Sequence, residues 1–218
     1  MHKGQVVGYS MGAMQAFQWA AQYPAAVDRF VAICGTARTA EHNQLFLDSL
    51  RAAFCADAAF NNGDYESPPL RGFEAFATIY ASWLTSQRFF ARRLYRQVGP
   101  GIEDLDGFVA LVKAFFMRHD ANDLLAMAAT WRAGDPSAND IYRGDFARAM
   151  RAISARGLIM PCDTDLYFRA EDSEADAALL SDCEFEPIRS DFGHAAGGGF
   201  DAAAVRLLNA RIRRFLEN

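Results

Sequence analysis

Gln5-Val6-Val7-Gly8-Tyr9-Ser10-Met11-Gly12-Ala13-Met14 is the stretch on which the fold turns. A short apolar run gives way to Gly-x-Ser-x-Gly, and Gln15-Ala16-Phe17-Gln18-Trp19-Ala20-Ala21 continues in helical composition until Pro24 stops it. Strand, glycine-flanked serine and helix in that order spell a nucleophile elbow, in which the serine sits on a sharp, strained turn. Gly8 and Gly12 are read as the two positions where a side chain would collide with the neighbouring strand or helix. The Ser10 hydroxyl is then presented at the carboxyl end of a sheet, beside the positive end of a helix.

Working outward, 218 residues of which 51% are hydrophobic suffice for one sizeable core with an insertion. A net charge of −5 and the lack of any long lysine or arginine cluster argue against a nucleic-acid partner. The arginines at 88, 92, 93 and 96 are spaced like the wet face of a helix. Cys34, Cys55, Cys162 and Cys183 are scattered without a Cys-x-x-Cys pair or a histidine at ligand spacing, so no metal site and a reduced compartment are expected. Met1-His2-Lys3-Gly4 lacks the apolar run of a signal peptide, and no window reaches the length of a membrane span. A cytoplasmic, soluble protein without membrane partners is the expectation.

Further along, Val27 to Gly35 reads as a buried parallel strand, and Gln44 to Phe54 as a helix. Phe73, Phe76, Tyr80, Trp83, Gln87, Phe90 and Leu94 follow at spacings of three and four, which predicts one long helix with an aromatic face. Helices are predicted over 105–118, 121–131 and 146–155. Gly157 to Cys162 returns to a buried strand, 173–180 is helical, and 183–190 alternates like a strand. Asp201 is a candidate cap for a last helix that places Val205, Leu208, Ile212 and Phe215 on one face. So long a helical block cannot belong to a regular strand-helix alternation. The expected organisation is therefore an α/β core of 1–36 and 156–218, carrying 37–155 as a helical lid.

A serine nucleophile needs a base to take its proton and an acid to orient that base. Asp165 lies just after one predicted strand and His194 just after the next, in the chain order serine, aspartate, histidine. Asp163, two residues away, is the alternative acid. His2 precedes the first strand, and His42 and His119 fall in helical regions, so each is a weaker base than His194. The backbone amide of Met11 would supply one oxyanion donor.

Gly-Tyr-Ser-Met-Gly-Ala-Met-Gln-Ala-Phe-Gln-Trp-Ala at 8–20, with Tyr23-Pro24, Arg118-His119-Asp120-Ala121-Asn122, Thr164-Asp165-Leu166-Tyr167-Phe168 and Gly193-His194, resembles the homoserine O-acetyltransferase family of α/β-hydrolases. The likeness runs over nearly the whole chain. It implies the α/β-hydrolase fold, a mostly parallel sheet under a helical lid. It implies that acyl-coenzyme A, such as acetyl-coenzyme A, passes an acyl group through Ser10 to a hydroxyl acceptor, with no permanently bound cofactor. It also implies a homodimer formed through the lid helices, and Arg118 as a group that could meet an acceptor carboxylate.

Ala195 and Ala196 follow His194 where the family pattern carries an aspartate, and Asp123-Leu124-Leu125 stand where it carries a tyrosine. An esterase or thioesterase that uses water, and an inactive remnant, therefore stay open beside the transferase. In this fold the elbow follows the fifth strand, whereas nine residues precede Ser10 here. The first strands, and the loop that gives the second oxyanion amide, are expected to be missing. The strand at Val6-Val7 would then form an apolar edge.

Overall fold

A computed structural model of the protein describes residues 4–217. The chain divides into two compact units, one running to Thr39 and resuming at Gly134, the other spanning Ala40–Ala133.

The first unit begins with β1 (Gly4–Tyr9), α1 (Met11–Gln22) and β2 (Val27–Ile33), with both strands parallel and in register from Gln5 opposite Arg29 to Tyr9 opposite Ile33. Ala13, Ala16, Phe17, Ala20 and Ala21 of α1 are buried. These mostly small side chains let the helix lie close to the strands, while Phe17 meets Phe30 edge-on at 5.1 Å.

The second unit is all helical: α2 (Glu41–Cys55), α3 (Leu70–Leu84), α4 (Gln87–Ala91), α5 (Leu105–Phe116) and α6 (Ala121–Arg132). Its centre is aromatic. Phe54 packs on Phe60, Phe73 and Phe76, and Phe116 sits edge-on to Phe76 and Tyr80.

The single helix expected from Phe73 to Leu94 is instead broken. Thr85 is extended at φ −125°, ψ 174°, and the Ser86 hydroxyl accepts from the Phe89 amide at 3.1 Å to start α4 afresh. A serine that satisfies a backbone donor locally outcompetes continuation of the helix. Phe73 and Phe76 are buried as expected, but Gln87 is exposed.

Back in the first unit come α7 (Phe146–Arg151), β3 (Arg156–Met160), α8 (Ala170–Ala177), β4 (Cys183–Phe185) and α9 (Ala202–Glu217). The sheet order is β1-β2-β3-β4, all parallel. The expected insertion of 37–155 is accordingly shorter, because residues 134–155 pack with the sheet. Tyr142, Ala149, Met150 and Ile153 are buried in one cluster with Phe17 and Phe30, and the Tyr142 hydroxyl donates to the carbonyl of Ala21.

The strand expected over 183–190 ends at Phe185, with Glu186 still donating to Ile159 O, and pairs again at the bridge between Cys162 and Ile188. Pro187 lies between and offers no amide to the ladder. On α9, Asp201 accepts from the Ala203 amide at 2.8 Å, and Leu208 and Phe215 are buried, as the spacing predicts. Arg211 pairs with Glu184 at 2.7 Å and with Glu186, tying the helix to β4.

The outer strand β1 has, among the described residues, β2 as its one partner, and Val7 is 48% exposed. No helix of the described residues is long and apolar enough to cross a membrane.

Candidate active site

β1 ends at Tyr9, α1 begins at Met11, and Ser10 between them adopts φ 60°, ψ −126°. A non-glycine residue held at positive φ stores strain that the surroundings must sustain. They do: the Ser10 amide donates to Ile33 O at 2.9 Å, and the Ser10 carbonyl accepts from Ala13 at 2.9 Å and Met14 at 3.3 Å.

Gly8 is required by space, since a Cβ there would lie 1.9 Å from the carbonyl oxygen of Gly12. Gly12 is not, because its Cβ would meet nothing within 4 Å. The expected collision at Gly12 is thus corrected. A close approach that the sequence reading missed is at Gly35, where a Cβ would fall 2.8 Å from Ser10 O and 2.5 Å from the Ala13 Cβ. Its only signal was a glycine closing a strand.

The loop after β3 carries two aspartates with different work. Asp163 accepts from the Ser190 amide at 3.1 Å and pairs with Arg189 at 3.3 Å, and Thr164 donates to Ser190 O at 2.6 Å. These bonds zip the loop to the segment that leads to His194. Asp165 has one carboxylate oxygen accepting from the amides of Tyr167, at 2.8 Å, and Phe168, at 3.1 Å.

The other carboxylate oxygen of Asp165 lies 2.7 Å from Nδ1 of His194, and Nε2 of His194 lies 2.9 Å from Ser10 Oγ. A carboxylate can only accept, so Nδ1 carries the proton and Nε2 is left to accept the Ser10 hydroxyl. The structure brings Ser10, His194 and Asp165 into one hydrogen-bonded line.

His194 is 2% exposed, on a turn started by Gly193 at φ 61°. Three rings enclose its imidazole: Tyr9 stacked at 4.9 Å and 27°, Tyr167 edge-on at 4.9 Å, and Phe168 at 5.6 Å. None of the three was singled out for such a place by sequence. Aromatic residues beside a motif read alike whether they pack on a core or on a base.

The rival nucleophiles are silenced. Cys34 is buried, and burial followed by the nearby Asp165 carboxylate pushes its thiol well above the ordinary range. Burial also pushes the Cys162 thiol up to about 11. Both sulfurs stay protonated, whereas a thiolate is the reactive form.

Met11 places its amide in the first turn of α1, where position leaves it no intrahelical acceptor, beside Ser10. Arg118 belongs to the second unit, exposed, with its guanidinium 4.9 Å above the ring of Phe115. In that same unit, His42 lies against Trp83 at 4.7 Å, and Nδ1 of His119 lies 3.2 Å from Phe115 O. His2 lies outside the described residues. Among the described residues, no group of three His, Cys, Asp or Glu side chains is placed to hold a metal ion.

Comparison with known proteins supports the fold. A family model described as alpha/beta hydrolase fold matches residues 2–196. An ethyl acetate hydrolase of Pseudomonas veronii is 37% identical over 216 residues, 98% of this chain and 61% of its own length. The solved structure of the acetyl esterase MekB superposes with a TM-score of 0.93 at 36% identity, covering 98% of this chain and 62% of that one. A homoserine O-acetyltransferase of Chloroherpeton thalassium is 28% identical over 195 residues, 87% of this chain and 50% of its own. The chain thus spans between a half and about three fifths of the curated relatives it matches. The homoserine resemblance read from the motifs holds at the level of the wider family, and the esterases stand at higher identity.

Proposed function

This chain belongs to the α/β-hydrolase family, and on that footing we propose that it carries the nucleophile, base and acid of a serine esterase acting on small acyl esters, acetyl esters foremost. The observation that carries the reading is the unbroken line from Ser10 Oγ through His194 to Asp165, at 2.9 and 2.7 Å.

His194 Nε2 takes the Ser10 proton as Oγ attacks the ester carbonyl, and Asp165 steadies the imidazolium through Nδ1. The Met11 amide is one donor to the oxyanion, worth about 3 kcal/mol when well aimed. The imidazolium then gives its proton to the departing alkoxide, which leaves as the alcohol. Water, deprotonated by the same Nε2, attacks the acyl-serine and releases the carboxylic acid with free Ser10.

Transfer from acyl-coenzyme A to a hydroxyl would differ only in this second step. Two observations favour water: two relatives above 30% identity are named as a hydrolase and a probable esterase, and the alanines at 195 and 196 offer an acceptor amine no charge.

The test is to give the purified chain either 4-nitrophenyl acetate or acetyl-coenzyme A with an amino-acid alcohol. Release of acetate from the ester is expected, falling on the order of 10⁴-fold in Ser10→Ala. Faster formation of acetylated alcohol from acetyl-coenzyme A would replace hydrolase with transferase. No reaction of Ser10 with a fluorophosphonate would remove both.

A further inference from the structure

The residue before the nucleophile does something that neither the motif nor the proton path requires. The Tyr9 hydroxyl donates to the backbone carbonyl of His194 at 3.0 Å, and the Tyr9 ring lies over the imidazole of that same residue at 4.9 Å and 27°. One side chain at the end of β1 thereby grips the base at two points, its backbone and its ring, from the position next to Ser10.

The chain makes room for this grip. A Cβ on Gly197 would come within 2.8 Å of the Tyr9 ring, and one on Gly198 would stand 3.1 Å from its hydroxyl oxygen. The glycines after His194 thus leave space that Tyr9 fills.

We infer that Tyr9 is a positioning residue for His194, holding the imidazole in the plane that keeps Nε2 on Ser10 Oγ. This rests on the esterase reading and deepens it.

The hydrogen bond from Nδ1 to Asp165 fixes one end of the ring but leaves rotation about that axis, which Tyr9, stacked on one face, restricts together with Tyr167 and Phe168. The hydroxyl tether fixes the backbone from which the imidazole hangs. During turnover the imidazole becomes a cation, and the electron-rich face of Tyr9 favours that state over an empty space. Proton transfer falls off steeply with misalignment, so a base free to swivel spends less time in reach of Oγ.

The two contacts separate by substitution. Tyr9→Phe keeps the stack and removes the tether, whereas Tyr9→Leu removes both. Each is followed by the second-order rate of Ser10 phosphonylation with a fluorophosphonate. Each is also followed by the nuclear Overhauser contact between the His194 ring protons and the Ser10 β-protons, with circular dichroism to establish folding.

Tyr9→Phe is expected to react about fivefold more slowly with the contact intact. Tyr9→Leu is expected to react at least about tenfold more slowly and to lose the contact. A merely structural tyrosine would lower the melting temperature and leave both readouts of the folded protein unchanged, which would overturn the inference. If Tyr9→Leu does not fold, Tyr9→Phe decides, and an unchanged rate rejects the tether. Should the unaltered chain fail to react at Ser10, the esterase reading falls on its own, and the Overhauser contact still judges Tyr9.

Discussion

Gly8 and Gly12 are equivalent in the motif but not in space. A methyl at Gly8 would press into the Gly12 carbonyl at 1.9 Å, and neither partner is a flexible side-chain end. Gly8→Ala is expected to cost about 3 kcal/mol or more. Gly12→Ala points into open space inside the first turn of a helix and is expected to be neutral or stabilising by about 0.5–1 kcal/mol. Urea unfolding of the two variants separates them, and equal losses would mean that the elbow is packed otherwise than described.

A second residue-scale consequence concerns Asp176, a buried carboxylate of α8 that accepts from the Ala37 amide at 2.7 Å. Burial, outweighing that bond, raises its pKa from 3.8 to about 7; Asp172 nearby raises it further and Arg38 opposes. The folded state therefore holds the proton more tightly than the unfolded chain. This group's contribution to stability is whole below about pH 4 and is lost as pH rises to about 7, a span worth roughly 4 kcal/mol at most. Asp176→Asn keeps an acceptor for Ala37 and has no charge to bury. Its stability relative to the unaltered chain is expected to rise between pH 4 and 7.5, and a flat difference across that range would refute the assignment.

Among the elements, α4 is the one whose start is set by a serine cap. It is five residues long, and the buried Ser86 hydroxyl serves its first turn. Ser86→Ala is expected to lower stability by about 1 kcal/mol, read as an earlier thermal transition. The same serine shows where sequence reading stops. Aromatic spacing of three and four continued through 85–86 because periodicity registers faces, not the local bond that ends a helix. Helical pattern alone groups residues 134–155 with the insertion, since it does not say what a helix packs on, whereas Tyr142, Met150 and Ile153 are buried with Phe17 and Phe30. The elbow, the last helix and the order of Ser10, Asp165 and His194 were legible because each is fixed by local chemistry: glycine at a crowded turn, a capping aspartate, polar residues just past apolar strands. Sequence favours Asp165 over Asp163 as the acid but leaves Asp163 as an alternative, since both follow the same strand, and the fold brings Asp165 to His194.

At the scale of the whole chain, β1 is the outermost strand of the sheet among the described residues. Along β1 the backbone groups that face away from β2 have no strand beside them among the described residues, and Val7 adds apolar surface. Such an edge is a template for another strand. Val7→Lys is expected to reduce concentration-dependent self-association, measured by light scattering, without altering the far-ultraviolet spectrum. Association unchanged by the lysine would place the contact elsewhere, for instance on the helices of the second unit.

The cysteines, finally, are distributed in a way that leaves the chemistry undisturbed. Those at 34 and 162 are sealed and that at 183 is held protonated by burial, its pKa near 12, while Cys55 stands exposed on α2. Iodoacetamide or a maleimide dye at neutral pH is expected to react first at Cys55, so a fluorophore can be attached there to follow the molecule without touching Ser10.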